Sequence, residues 1–173
     1  QHTTYAKNAI YNSGHHGNAI LSKYPFIAKD NINLSFLPRA SRSLLHSIIN
    51  LDGRKVHMIC VHLGLFKDER LKQVETLAMR IIEFVPIDEP LILAGDFNDW
   101  RKDLSDCLEL RLGLKEVMKE LNGEHAKSFP ALKPVFQTDR VYYRGLNLIS
   151  AECYKGKPWH LLSDHLPIYA KFD

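Results

Sequence analysis

Four short stretches of the chain carry side chains able to do chemistry. "CVHLG" places His62 at the end of an apolar run. "LILAGDFNDW" ends a run of large apolar residues in a glycine and then delivers Asp96, Asn98 and Asp99. "QTDRVYYRG" sets Asp139 inside a strand-like segment, and "LSDHLP" joins Asp164 to His165 ahead of a last apolar run. Each has an ordinary reading. Asp and Asn after a strand are favoured for the hydrogen bonds they make within their own turn. A histidine after a strand is commonly a satisfied or exposed loop residue, "SDH" can be a cap, and Asp139 can pair with Arg140 or Arg144. As a set they read differently, because two histidines and several carboxylates are the parts of metal-assisted hydrolysis. A divalent cation takes oxygen ligands, neutralises charge developing on a phosphate and orients a water. A carboxylate beside a histidine fixes its tautomer and stabilises the imidazolium, which suits acid–base work near neutral pH. An Asn adds an orienting donor without charge.

These clusters fall at strand ends or connections. "GNAILSKYPF" reads as a strand closed by a turn at Pro25. "SLLHSIINLDGRKVHMICVHLGL" holds two apolar runs around Asp52-Gly53, a hairpin signal, and the second run ends near His62. In "KDERLKQVETLAMRIIEFVP", Leu71, Val74, Leu77, Ala78, Ile81, Ile82 and Val85 recur at helical spacing. Asp68 is its expected N-cap and Pro86 its stop. "PLILAG" is a short, continuously apolar strand, expected to be buried on both faces. Residues 103–121 read as one or two shorter helices broken near Gly113. "VFQTDRVYY", "LNLISAECY" and "HLPIYAKFD" read as the closing strands. The order is a mixed α/β pattern in which successive strands without intervening helices argue for largely antiparallel sheet.

Composition sets the outer bounds. A chain of 173 residues with 45% hydrophobic and 25% charged residues has the balance of one globular domain, residues 1–173. No stretch approaches the roughly 20 apolar residues that span a bilayer. The first residues, "QHTTYAKNAIYNSGHH", form no signal-peptide core, and the chain begins at Gln1, so processing or an upstream segment is expected. Cys60, Cys107 and Cys153 form neither a disulfide framework nor a zinc motif, which favours a reducing, cytoplasmic setting. The net charge of +3 divides unevenly: seven Lys/Arg against two Asp/Glu over residues 1–60, nine against fourteen over 61–124, seven against four over 125–173. A basic first third suits an anionic substrate, although scattered solvated lysines give the same tally.

In this order, "GNAILSKYP", "VHLGL", "GDFND" and "SDHLP" resemble the endonuclease/exonuclease/phosphatase superfamily, from about Gly17 to the C-terminus. The "GHHGNAILS" segment and the "DRVYYRG" segment are similar to those of its small bacterial members. The resemblance implies a deoxyribonuclease I-like fold: a four-layer α/β sandwich of two mostly antiparallel sheets flanked by helices, with the active site at one end. It implies a Mg²⁺- or Mn²⁺-dependent phosphodiesterase or nuclease acting by in-line attack of water. Asp96 and Asn98 match the pair that activates water and contacts the phosphate, and His165 matches the histidine on the scissile phosphate. Asp139 matches the carboxylate that orients that histidine, and His62 a second acid–base group. Asp164 and Asp96 match positions at the metal, while Asn18 and Arg42 fall where substrate contacts are expected. Nucleic acid, a phospholipid head group and a soluble phosphate ester all fit as substrate. Nothing before His15 matches the Asn-bearing and Glu-bearing strands with which the family pattern opens. The chain is therefore expected to be N-terminally incomplete, with uncovered sheet edges open to self-association. The rival reading is a phosphate-binding module of the same fold without turnover.

Overall fold

A computed structural model describes residues 1–36, 41–105 and 107–173. The chain runs β1 (His2–Tyr11), β2 (Gly14–Ser22), β3 (Phe26–Asn33), β4 (Ser43–Leu51) and β5 (Arg54–His62) before its one long helix, α1 (Lys67–Phe84). There follow β6 (Leu91–Asp96), β7 (Lys115–Glu116), α2 (Val117–Asn122), β8 (Asp139–Arg144), β9 (Leu148–Cys153), α3 (Trp159–Leu162) and β10 (Ile168–Phe172). Asp52 (φ 50°) and Gly53 (φ 90°) both take left-handed backbone between β4 and β5. That is the conformation a two-residue hairpin needs to follow the twist of its strands.

Six strands form one sheet in the order β3-β4-β5-β6-β8-β7. Only β5 and β6 run parallel, joined by α1 as the crossover. Because β8 runs antiparallel to β6, its first residue lies at the same sheet edge as the last residues of β5 and β6. The register then puts His62 opposite Asp96, and Asp96 opposite Asp139, in one row across three strands. The sheet thus assembles three of the four chemical clusters before any loop is considered.

The two sheet faces are covered differently. Val74, Leu77, Ala78 and Ile81 of α1 pack on Leu44, Ile59, Val61, Leu91, Leu93 and Tyr142, all buried. On the opposite face, β1 and β2 pair as a hairpin over β3, β4 and β5. A second hairpin, β9 with β10, packs with α2 against Tyr143 and Val141 of β8. The result is an α/β sandwich, with its second layer divided into two hairpins rather than one continuous sheet.

Several local expectations change. The segment before His15, where the sequence reading places no element, forms β1, whose Thr4 and Ala6 are buried. The N-cap of α1 is Phe66, with no side-chain cap bond, and Asp68 sits two residues on, within the first turn, where its charge faces the positive end of the helix. β6 is buried on one face only: Leu91 and Leu93 are covered, while Ile92 and Ala94 are half-buried. Residues 107–111 form a single π-helical turn, and the break expected near Gly113 (φ 63°) leads into β7 and the short α2. β8 starts at Asp139, since Phe136 pairs instead with Phe129 in an isolated bridge.

Candidate active site

The glycine that ends the β6 run has a steric reason. A Cβ on Gly95 (φ 150°) would stand 1.9 Å from the Val61 carbonyl oxygen, so only glycine lets β6 lie this close to β5 one residue before Asp96. The chain then turns through Asn98, itself left-handed at φ 50°, a conformation Asn tolerates better than most residues. Asn98 N–H donates to Asp96 Oδ1 (2.9 Å), and Asn98 Nδ2 donates to the Leu63 carbonyl (2.9 Å) beyond β5.

Asp99 belongs to the support of the site. It is fully buried and accepts the backbone N–H groups of Asp103 (3.0 Å) and Leu104 (3.1 Å). The buried Arg140 guanidinium lies 3.1 Å from its carboxylate and donates to its carbonyl at 2.5 Å. Asp99 and Arg140 together hold the turn that presents Asp96 and Asn98.

The second half of the site comes from β8 and the loop before β10. His165 Nδ1 donates to Asp139 Oδ2 at 2.7 Å, and the same oxygen accepts Ser128 Oγ (2.6 Å) and Thr138 Oγ1 (3.0 Å). Asp139 therefore points toward His165 and not to Arg140 or Arg144, whose donors go to Asp99, Tyr142 and backbone carbonyls. Phe129 lies against the His165 ring, centroids 4.6 Å apart. Ligand atoms of Asp96, Asp139 and His165 all lie within 4.8 Å of one another, and His62 Nε2 is 3.6 Å from Asp96 Oδ2.

The electrostatics follow from burial and the crowding of like charges. Burial, and then the neighbouring Asp139, push the Asp96 carboxyl above the usual carboxylate range. Burial works against a charged His165, but the hydrogen bond and field of Asp139, helped by Asp96 and Asp164, outweigh it and raise its pKa. His62 goes the other way, pushed down to about 4 by burial and by the positive fields of Arg42 and His165. The two histidines are thus set apart: one readily protonated, the other a neutral acceptor at pH 7.

His62, Asp96, Asn98, Asp139 and His165 converge. Arg42 is close enough to act on both His62 and Asp96. Asp164 is exposed beside His165 and stands outside the Asp96–Asp139–His165 group. Asn18 is buried, its amide donating to the carbonyls of Ser43 (2.8 Å) and Cys60 (3.3 Å), so it ties β2 to the sheet. Sequence reasoning passed over His16, whose field reaches His62, and Ser128, a partner of Asp139, and it considered Arg140 only as a pair for Asp139, not for Asp99. Only Arg140 carried a signal, an arginine amid buried strand residues.

The donor set suits a hard cation. Among the described residues neither Asp96 nor Asp139 pairs with a lysine or arginine. Two neighbouring, half-buried carboxylates whose ion-pair partners are histidines, with no lysine or arginine to neutralise them, are an environment a divalent ion stabilises.

Fold and site together describe an α/β sandwich with a carboxylate–histidine cluster at one sheet edge. The endonuclease/exonuclease/phosphatase family model matches residues 2–165, and the chain belongs to that family. The protein YbhP of Escherichia coli K12 is 37% identical over 169 residues, covering 96% of this chain and 66% of the relative, so the chain spans just under two thirds of that protein's length. Among solved structures, Danio rerio TDP2 complexed with a single-strand DNA product superposes with a TM-score of 0.76 at 23% identity, over 98% of this chain and 77% of that one. A mannosyl-6-phosphatase of Bacteroides thetaiotaomicron does so with a TM-score of 0.72 at 15% identity, over 99% and 77%. At these identities the two structures share the fold.

Proposed function

We propose that the protein hydrolyses a phosphodiester by in-line attack of water, with Mg²⁺ or Mn²⁺ as cofactor. The observation that carries this is the Asp139–His165 pair at 2.7 Å, set against a second carboxylate, Asp96, within 4.8 Å. Asp96 and the free oxygen of Asp139 would hold the cation, with Asp164 as a further carboxylate at the mouth. When bound, it supplies positive charge to the phosphate oxygens.

The protein groups divide the remaining work. Asp96, at the tip of β6 beside Asn98, takes the proton of the attacking water. Asn98 has spent one N–H on Leu63 and keeps its amide oxygen to orient that water. Asp139 fixes the His165 proton on Nδ1, so Nε2 faces outward and, once protonated, donates to the phosphate. His62 serves as the second proton acceptor beside Asp96, and Arg42 contributes positive charge at the same edge. The TDP2 relative with its DNA product supports a nucleic-acid ester as one candidate substrate, and the mannosyl-6-phosphatase a soluble phosphate ester as another.

The test is turnover of bis(p-nitrophenyl) phosphate in Mn²⁺ or Mg²⁺, with Asp96→Asn and His165→Gln as controls. Losses of about 10²–10⁴-fold are expected for the removal of each acid–base group. Binding of inorganic phosphate without metal-dependent turnover would instead support the non-catalytic module.

A further inference from the structure

The sheet edge that carries the site also carries large apolar side chains in water. Leu65 and Phe66 follow His62 after β5, and Phe66 is 68% exposed. Trp100 follows Asp99 after β6 and is half-exposed. Across the site, Leu132 (81% exposed) precedes β8, and Leu161 and Leu162 (71%) sit on α3 just ahead of His165. Leu132, Leu161 and Leu162 edge an open groove of about 410 Å³ whose far wall includes Asp164. The two flanks are joined by a chain of ring contacts, Trp100 to Phe136 (6.4 Å), Phe136 to Phe129 (6.4 Å) and Phe129 to His165 (4.6 Å).

Exposed basic residues adjoin these side chains along the chain. Arg101 and Lys102 are exposed beside Trp100, and Lys67 beside Phe66, where it pairs with Asp103. On the other flank Lys133 follows Leu132, and Lys155 and Lys157 precede α3, all exposed. The exposed acids near them are Asp68, Asp164 and Glu152, which lines one cavity with Lys155. Both flanks are therefore net positive, mixing Trp, Phe and Leu with Lys and Arg. That is the composition of surfaces that enter the head-group layer of an anionic membrane.

We propose that this edge docks on a lipid bilayer bearing anionic head groups, with Phe66, Leu132, Leu161 and Leu162 entering the interface and the flanking lysines meeting the phosphates. Two alternatives fit less well. A protein partner selects against lysine in the core of its interface, whereas here exposed lysines adjoin the apolar side chains in sequence, Lys67 beside Phe66 and Lys133 beside Leu132. A single-stranded nucleic acid needs open aromatic faces to stack its bases. Trp100 instead has the Arg70 guanidinium 5.3 Å from its ring centre, and Phe129 has His165; the most exposed side chains are leucines.

Docking is read without turnover, so it stands apart from the hydrolase reading. The protein is sedimented in EDTA with vesicles of phosphatidylcholine alone, or of phosphatidylcholine with phosphatidylglycerol. Binding to the anionic vesicles is expected, weakening as salt rises. Replacing Phe66→Ser, or Leu161→Ser together with Leu162→Ser, is expected to weaken partition by about tenfold through lost apolar burial. Lys133→Glu with Lys157→Glu should weaken it further. All these side chains are exposed, and unchanged circular-dichroism melting confirms that each variant is folded. No partition onto anionic vesicles overturns the proposal. So does partition that survives the Ser substitutions, or a single-stranded oligonucleotide whose binding falls in these variants while vesicle binding does not.

Discussion

His46 lies in a buried chain of hydrogen bonds between α1 and the hairpin of β4 and β5. Arg80 donates Nε–H to His46 Nδ1 (3.1 Å), which leaves the His46 proton on Nε2. Nε2 donates to His57 Nδ1 (2.8 Å), and His57 Nε2 donates to Glu89 (2.6 Å). Protonating His46 would turn its Nδ1 from an acceptor into a donor facing the guanidinium. Burial first, and then the charge of Arg80, accordingly push His46 down to about 4 from an ordinary 6.5. The unfolded chain therefore binds a proton more readily than the folded one between pH 6.5 and 4. Stability is complete above pH 6.5 and is lost as pH falls through that window, by about 3 kcal/mol for a difference of this size. Urea unfolding followed by tryptophan fluorescence at pH 7.5, 6.5, 5.5 and 4.5 measures it. The comparison is His46→Gln, which can still accept from Arg80 and donate to His57 but does not titrate. The difference in stability between pH 7.5 and 4.5 should be smaller in the variant by about 3 kcal/mol. Equal pH slopes in the two proteins would refute the reasoning, because every other titrating group is common to both.

Further outcomes can be checked on the same protein. Gly95→Ala should prevent folding or cost more than about 4 kcal/mol, because its Cβ meets backbone oxygen rather than a movable side chain; circular-dichroism melting reads it. Arg140→Met should cost about 3–5 kcal/mol by removing the nearer cation of the buried Asp99 carboxylate and leaving only Arg70, 4.0 Å away, again read by urea unfolding. Leu77→Ala, at the centre of the α1 face, should cost about 2–5 kcal/mol on the same assay. Asp96→Asn should stabilise the fold at pH 7, since it removes a buried charge facing Asp139, while lowering turnover by about 10²–10⁴-fold; a lowered urea midpoint would contradict it.

Elements with a strong local signal were legible in the sequence. The Asp52-Gly53 hairpin and the apolar stripe of α1 declare themselves through turn chemistry and helical period, and both stand where they were expected. Pairing across the sheet was not legible, because no local rule sets the neighbours of β6. The row His62–Asp96–Asp139 depends on β5 and β6 running parallel and β8 returning against them. β1 was missed because its apolar and polar residues do not alternate cleanly and only Thr4 and Ala6 among its early residues are buried. At the site, residue types and motif order marked Asp96, Asn98, Asp139 and His165. What positions them could not be read in advance: Ser128 is eleven residues from Asp139, and Arg140 reaches Asp99 across forty-one. Asn18 shows the reverse case, a motif residue at the right place whose amide is committed to backbone carbonyls.

The most direct test of the site is a double-mutant cycle on the rate of metal-dependent phosphodiester hydrolysis, with Asp139→Asn, His165→Gln and the two combined. If Asp139 acts by holding His165 in one tautomer, as their 2.7 Å contact requires, each single change lowers the rate by about 10²–10⁴-fold. The double variant is then no slower than His165→Gln alone, because residues acting as one unit are not additive. An Asp139→Asn enzyme that keeps its rate, or losses that multiply in the double variant, would contradict the pairing of these two residues as a catalytic unit.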